Sequence, residues 1–356
     1  MLFPSHRALA GAAAALALFA FLQPAAAAKP KYESVACWET QQGVSVQMDN
    51  DLFAGAPHDS DYTGGLAVDW TPDNQSPHAV SHRLHFNLDR LLGLRADRCR
   101  RHAWQFGLFS LTPNKLFRTE PVLDDRPFAT AVVFATTASW NGNAENVALQ
   151  STLQVGMLGL DLFEALHTGV HEALGNKTPK GYRFQISKGG EPTFRYALAR
   201  HQLLDESMWQ GETLQWKQTV AMSVGYLTEA SAGISTRWGR IDSPWQSFTP
   251  ELAGYLPAPR PLVRRVGGRE LFVFGGAQAR LRLYNSLNQG QFRDSVHVLH
   301  ASQLEPWLGE AWLGVHWQPS QTWEFTYTLR AQTPEVKHEP ARRTLVWAGL
   351  AFSRRF

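Results

Sequence analysis

The chain has 356 residues, 44% of them hydrophobic, with 13 Trp, 20 Phe and a formal net charge of only +3. So small a charge excludes a nucleic-acid partner held by long-range attraction. Two cysteines exclude a cysteine-based metal framework.

Residues 1–28 read as a signal peptide. His6 and Arg7 close a short n-region, residues 8–22 are apolar, and Ala26-Ala27-Ala28 offers an A-x-A cleavage site. The apolar run falls short of the roughly 20 residues a spanning helix needs, and Pro24 follows it. No later stretch is long and apolar enough to span a membrane as a helix. The mature chain, 29–356, is therefore expected to be exported, either as a soluble β-protein or as an outer-membrane barrel. Cys37 and Cys99 would meet an oxidising compartment, where a disulfide and two separate thiols are both open.

Period-2 segments fill the mature chain at 43–48, 65–70, 103–111, 129–140, 147–158, 193–203, 213–224, 231–238, 270–284, 304–317, 323–332 and 343–354. About twelve strands, an even number, suit a single-chain antiparallel transmembrane β-barrel of the all-β class. Val147, Leu149, Leu153, Val155 and Met157 alternate with Ala148, Gln150, Thr152 and Gln154, the pattern of a wall with lipid outside and a polar lumen. The segment 343–356 ends on Phe356, as the last strand of many outer-membrane proteins ends on an aromatic residue. The longer connections, 73–101, 204–211 and 240–269, read as surface loops.

One segment breaks the pattern. Across 161–175, Phe163, Leu166, Val170 and Leu174 recur at helical spacing, and Gly175 can end the helix. That helix can pack in the lumen, across the mouth or outside the wall. Glu164, His167 and His171 share its neighbouring face, where an i,i+4 histidine pair can bind a metal or simply sit hydrogen-bonded on a polar flank. At the first strand end, Asp49, Asn50 and Asp51 with Thr63 gather hard oxygen donors, which suit Ca2+ or turn chemistry. There is no zinc-peptidase motif and no nucleophile elbow.

Four ordered blocks carry a resemblance. They are Asn50-Asp51 with Gly55, then Asp61 to Gly65, then Asp125 to Ala129, then His171 with Gly175 and Pro179-Lys180-Gly181. Asn114-Lys115 and Gln185 echo the same pattern. Together they resemble the outer-membrane lipid A 3′-O-deacylase family. The resemblance implies a twelve-stranded barrel with its active site between the wall and a helix. It further implies lipid A (lipopolysaccharide) as substrate and Ca2+-dependent ester hydrolysis, similar in mechanism to phospholipase A2. By position, His171 would be the general base. Asn50, Asp51 and Thr63 would hold or orient the metal and the oxyanion, with Asp51 and Asn50 as metal ligands. Lys115 would face the lipid's phosphate or sugar.

One position departs from the family pattern. Lys177 stands where a metal-binding Glu is expected, six residues after the histidine, which leaves Asp49, Asp51 or Glu172 to hold a cation. Tyr182 replaces a common tryptophan. The competing readings are an inactive or pore-like barrel and, more remotely, a phospholipase. The sequence fixes no oligomeric state.

Overall fold

The computed structural model describes residues 39–55, 61–72, 80–94, 100–142, 144–264 and 269–356. The signal segment, Cys37 and Cys99 lie outside the described residues. Twelve strands form one closed barrel: β1 (Gly43–Asn50), β2 (Asp61–Thr71), β3 (Arg101–Thr112), β4 (Ala129–Asn141), β5 (Val147–Leu158), β6 (Glu191–Trp209), β7 (Glu212–Gly225), β8 (Leu227–Arg240), β9 (Glu270–Asn285), β10 (Trp307–Gln318), β11 (Trp323–Gln332) and β12 (Leu345–Arg355). Each expected strand is present. All neighbours pair antiparallel, and β1 closes on β12 from Gly43↔Arg355 to Asn50↔Ala348. Closure leaves no unpaired edge, which a wall in hydrocarbon requires.

Alternation decides which side chains see lipid. In β10, Trp307, Leu313, Val315 and Trp317 are exposed, while Leu308, Glu310, Trp312 and His316 between them are buried. The same parity turns Gln150, Thr152 and Gln154 of β5 into the lumen and leaves Val155 on the outer face. An apolar exterior around a polar interior is the arrangement of a membrane barrel.

The lumen is filled. The 241–269 connection brings Phe248, Tyr255 and Leu256 inside, where Tyr255 and Leu256 join Tyr62, Phe109 and Trp347 in one cluster. Around them runs an ion-pair network. Glu229 meets Arg280 at 3.1 Å and Arg282 at 2.9 Å; Glu310 pairs with Arg280 and, at 2.7 Å, with Arg330; Glu251 meets Lys217 at 2.8 Å. Buried charges persist only when paired in this way. Cavities of about 40 and 70 Å³ remain in the lumen, room for a few waters and not for a pore.

Two helices lie on the outer wall. The first, α1 (Val80–Leu91), falls in the connection read from sequence as a loop. Its wall-facing residues, His85 and Asp89, are polar, so the usual apolar signal is reversed. The second, α2 (Leu162–Ala173), matches the expected helix in extent but not in facing. Phe163 and His167 are buried, whereas Leu166, Val170 and Leu174 of the expected core stripe are exposed. Outside a membrane barrel the medium is lipid, so an apolar stripe points away from the protein.

Two outcomes are expected. In planar bilayers the barrel should carry no steady current, and a persistent porin-sized conductance would show that the 241–269 plug leaves the lumen. The second concerns acid stability. Burial raises the Glu335 carboxyl, but the Arg282 and Arg126 guanidiniums and hydrogen bonds from Gln332 and Asn288 outweigh it and hold the group down at about 2. Its stabilising contribution is therefore complete above its ordinary value of 4.5 and lost as pH falls towards 2. Glu335→Gln should flatten the thermal-unfolding profile in that window, and an unchanged acid limb would refute this.

Candidate active site

The first polar cluster sits where β1 ends and β2 begins, at the barrel end opposite Gly43 and Arg355. Asn50 folds its carboxamide over the turn. Its Oδ1 accepts from the Leu52 N–H at 2.7 Å, and its Nδ2 donates to the Thr63 carbonyl at 2.6 Å. A Cβ on Gly64 would lie 2.9 Å from the Asp49 carbonyl and 3.2 Å from Asn50 Nδ2, so this close approach needs glycine. The β2–β3 register shifts between Tyr62 and Gly64, which makes Thr63 a bulge residue. The bulge aims the Thr63 hydroxyl at Thr112 Oγ1, 2.6 Å away. Asp51 follows directly and is buried.

Asp49 belongs elsewhere. It stands one residue out of phase with Asn50, packs against Gly349 and lines a lumen cavity with Gln47 and Arg330. Strand alternation thus splits the expected four-residue cluster and removes Asp49 as an alternative ligand.

The Asp61 and Asp125 blocks are explained by shared arginines. Asp61 holds a left-handed φ of +67°, and Arg126 grips it at 2.9 Å. Arg343 bridges Asp61 (2.8 and 2.9 Å) and Asp125 (2.8 Å). Asp125 also accepts from the Asn114 N–H at 3.0 Å. Strain at such a residue persists only where its surroundings overdetermine it. These arginines fix the start of β2, which carries Thr63, and the connection after β3, which carries Lys115; Arg126 belongs to the Asp125–Ala129 block, whereas no sequence motif marks Arg343.

The helix side is built on the outward face of β3. Phe163 of α2 packs with Leu108, Leu116, Phe128 and Tyr182, against Leu66 and Val132 of the wall. Tyr182 is fully buried, its hydroxyl 3.2 Å from Ser110 Oγ and 2.8 Å from His167 Nδ1. The His167 ring meets His171 edge-on, with centroids 4.5 Å apart. Gln185 clamps the connection, accepting from Thr130 Oγ1 at 2.6 Å and donating to Asp161 Oδ1 at 3.0 Å. Gly181 lies so close to the Phe128 ring that any side chain would collide with it, and this ties the Pro-Lys-Gly block to the Asp125 block.

His171 is oriented by main chain. After α2, Gly175 at φ +70° turns the chain back, and the Lys177 carbonyl arrives 2.6 Å from His171 Nδ1. A carbonyl can only accept, so Nδ1 carries the proton and Nε2 is the basic nitrogen. The i,i+4 histidines do not form a metal clamp through Nδ1, since His167 uses it on Tyr182 and His171 on Lys177. Lys115 pairs with Asp124 at 2.5 Å, and this hydrogen bond lowers the Asp124 carboxyl. Both side chains are exposed, so the pair is weak and exchangeable.

The structure therefore joins Asn50 directly to Thr63 and links His171, through His167 and Tyr182, to Ser110 on the outward face of β3. Thr112, bonded to Thr63, and Ser110, bonded to Tyr182, share the outward face of β3 two residues apart, about 7 Å. Among the described residues no three His, Cys, Asp or Glu side chains converge on a metal position. Of the two expected metal ligands, Asp51 is buried and the Asn50 amide oxygen already accepts from the Leu52 N–H; as oxygen donors they suit Ca2+ in kind. Most of the usual six to eight or so oxygens would then come from backbone, water or ligand.

A direct serine–histidine contact lies beneath α1. Ser151 Oγ lies 2.9 Å from His85 Nε2, but Asp89 accepts from Ser151 at 3.0 Å, while Thr136 occupies His85 Nδ1 at 2.8 Å. A relay needs the acid on Nδ1, so this set is a structural clamp.

Comparison with known proteins agrees with this architecture. LpxR from Salmonella typhimurium superposes with a TM-score of 0.68 at 14% identity, over 88% of this chain and 100% of that one. The KdgM porin, at 4% identity and 88% and 99% coverage, reaches a TM-score of only 0.37. The β domain of the Bordetella autotransporter BrkA, at 8% identity and 88% and 98% coverage, reaches 0.41. No curated protein sequence matches the chain. The sequence pattern of the family described as outer membrane protein LpxR matches residues 13–356. The chain belongs to the LpxR family of outer membrane proteins.

Proposed function

We propose that this protein is a lipid A 3′-O-deacylase, hydrolysing the 3′-linked acyloxyacyl ester of lipid A in the outer membrane. The observation that carries the reading is His171, held on the outer wall with its Nδ1–H donated to the Lys177 carbonyl, which makes Nε2 the basic nitrogen. A base in that place serves a substrate that arrives sideways from the leaflet. Exposed Leu52, Phe53, Phe117 and Leu166 stand on the segments that carry Asp51, Lys115 and His171, and suit acyl chains.

In this reading His171 Nε2 removes a proton from water as the oxygen attacks the ester carbonyl. The tetrahedral species collapses, the sugar 3-oxygen leaves, and His171 returns the proton to it. The products are a free acyloxyacyl acid and a 3′-hydroxyl lipid A. Asn50 and the Thr63–Thr112 pair hold the β1–β2 turn rigid beside the reacting ester, which fixes where Asp51 stands. Ca2+, when bound at Asp51 and Asn50, would polarise the carbonyl and offset the developing negative charge. Lys115 leaves Asp124 for a lipid phosphate, a stronger anionic partner. Lys177 contributes its carbonyl, so the missing carboxylate leaves the orientation of the base intact.

Mass spectrometry of lipid A from cells expressing the protein tests this directly. Lipid A should be lighter by one 3′-acyloxyacyl unit, and His171→Ala should slow the loss by about 10²–10⁴-fold while leaving the barrel folded. Chelation should suppress activity and Ca2+ restore it; activity indifferent to chelator would remove the metal from the proposal without removing the reaction. Lys177→Ala should keep activity within about threefold, because the contact to His171 is made by main chain. Unmodified lipid A with a folded barrel would favour the inactive-barrel reading, for which Lys177 is the supporting observation.

A further inference from the structure

Helix α1 has its polar side towards the protein. Asp89, fully buried, accepts from Tyr196 at 2.6 Å, Arg100 at 2.5 Å and Ser151 at 3.0 Å. His85, also fully buried, sits between Ser151 and Thr136. Strand parity places Thr136, Ser151 and Tyr196 on the outer face of β4, β5 and β6. Their neighbours Thr137, Gln150, Thr152 and Gln154 point into the lumen. Three hydroxyls thus stand on a wall that faces hydrocarbon, and α1 supplies their partners.

The other side of α1 is apolar. Leu84 is 59% exposed, Phe86 41%, Leu91 82%, and Leu92 just beyond the helix 52%. Arg83 and Arg90 are exposed among them. This surface continues the lipid-facing belt. Thr136, Leu153 and Tyr196 form one row across the strands, and the adjoining row of Phe134, Val155 and Phe194 is bare and exposed. The β2–β3 connection that carries α1 leaves the barrel at Thr71, which pairs with Gly43. Helix α1 therefore lies at the end of the wall nearest the termini, and α2 belongs to the opposite end.

We propose that α1 is a leaflet anchor, embedded in the phospholipid leaflet on the side of the chain termini. Acyl chains cover Leu84, Phe86, Leu91 and Leu92, and the His85–Asp89 clamp holds the helix to the wall. Arg83 and Arg90 extend along the surface to the phosphate groups, as long cationic side chains do at an interface. A helix polar inside and apolar outside is stable only where the medium is less polar than the protein surface it covers. The inference needs the barrel to be in a membrane and does not depend on the deacylase reading.

The test uses full-length protein with Cys37→Ser and Cys99→Ser, refolded into phosphatidylethanolamine–phosphatidylglycerol vesicles. A bimane label is placed at Leu84→Cys or Leu91→Cys, exposed positions whose substitution leaves packing intact. Brominated phospholipid should quench the label several-fold more than aqueous iodide does. Dominant iodide quenching would place the face in water and overturn the proposal. Crosslinking to a second copy without bromolipid quenching would make the face a protein interface and overturn it equally. Adding Asp89→Ala should release the helix and raise iodide quenching; unchanged lipid quenching in that variant would refute the clamp as what holds α1.

Discussion

A hydroxyl on the outer wall of a membrane barrel has no water to turn to, and much of this molecule follows from that constraint. Thr63, Ser110, Thr112, Thr130, Thr136, Ser151 and Tyr196 all stand on the outward face of β2 to β6. Each has a partner: Thr112, Tyr182, Gln185, His85 or Asp89. An unsatisfied polar group in hydrocarbon costs several kcal/mol. Thr63 and Thr112 satisfy each other across β2 and β3; for the rest the connections come back over the wall to do it. The segment after β5 covers Ser110 and Thr130, and the segment after β2 covers Thr136, Ser151 and Tyr196. The candidate active site occupies one of these two covered patches.

The lumen solves the complementary problem. Its charges are compensated in pairs and triads, from Glu229 with Arg280 and Arg282 to Glu251 with Lys217. This makes the barrel a stiff post. Arg126 and Arg343 carry that stiffness to the rim by gripping Asp61 and Asp125. The bulge at Thr63 then sits on a fixed base. A site whose parts come from three separate connections needs such a foundation, because a misplacement of about 1 Å can cost about 10²-fold in rate.

The strands were legible because alternation is imposed by a single local rule, and every expected strand formed. Helix α2 was legible in extent from its spacing, but not in facing, since periodicity does not say which medium lies outside. Helix α1 escaped because its docking face holds His85 and Asp89 and its loops carry the ordinary signs of a surface connection. At the site, Asn50, Thr63 and His171 could be picked out from ordered blocks. Ser110 could not, and although His167 and Tyr182 stood out in the sequence, their contact with each other and with Ser110 did not, since the three meet only when a connection folds back on the wall. The separation of Asp49 from Asn50 follows from strand parity only because β1 runs to Asn50, two residues beyond the strand end expected at Met48.

In the proposed reaction, the position of His171 outside the barrel would also set the kinetics. A substrate that never leaves the leaflet has no bulk concentration, and its encounter rate follows its mole fraction among the neighbouring lipids. The released acid and the remaining lipid stay in that same two-dimensional fluid and are not diluted away. Turnover on such a wall is governed by lateral exchange, so membrane fluidity and lipid packing become control variables as direct as the chemistry of the base.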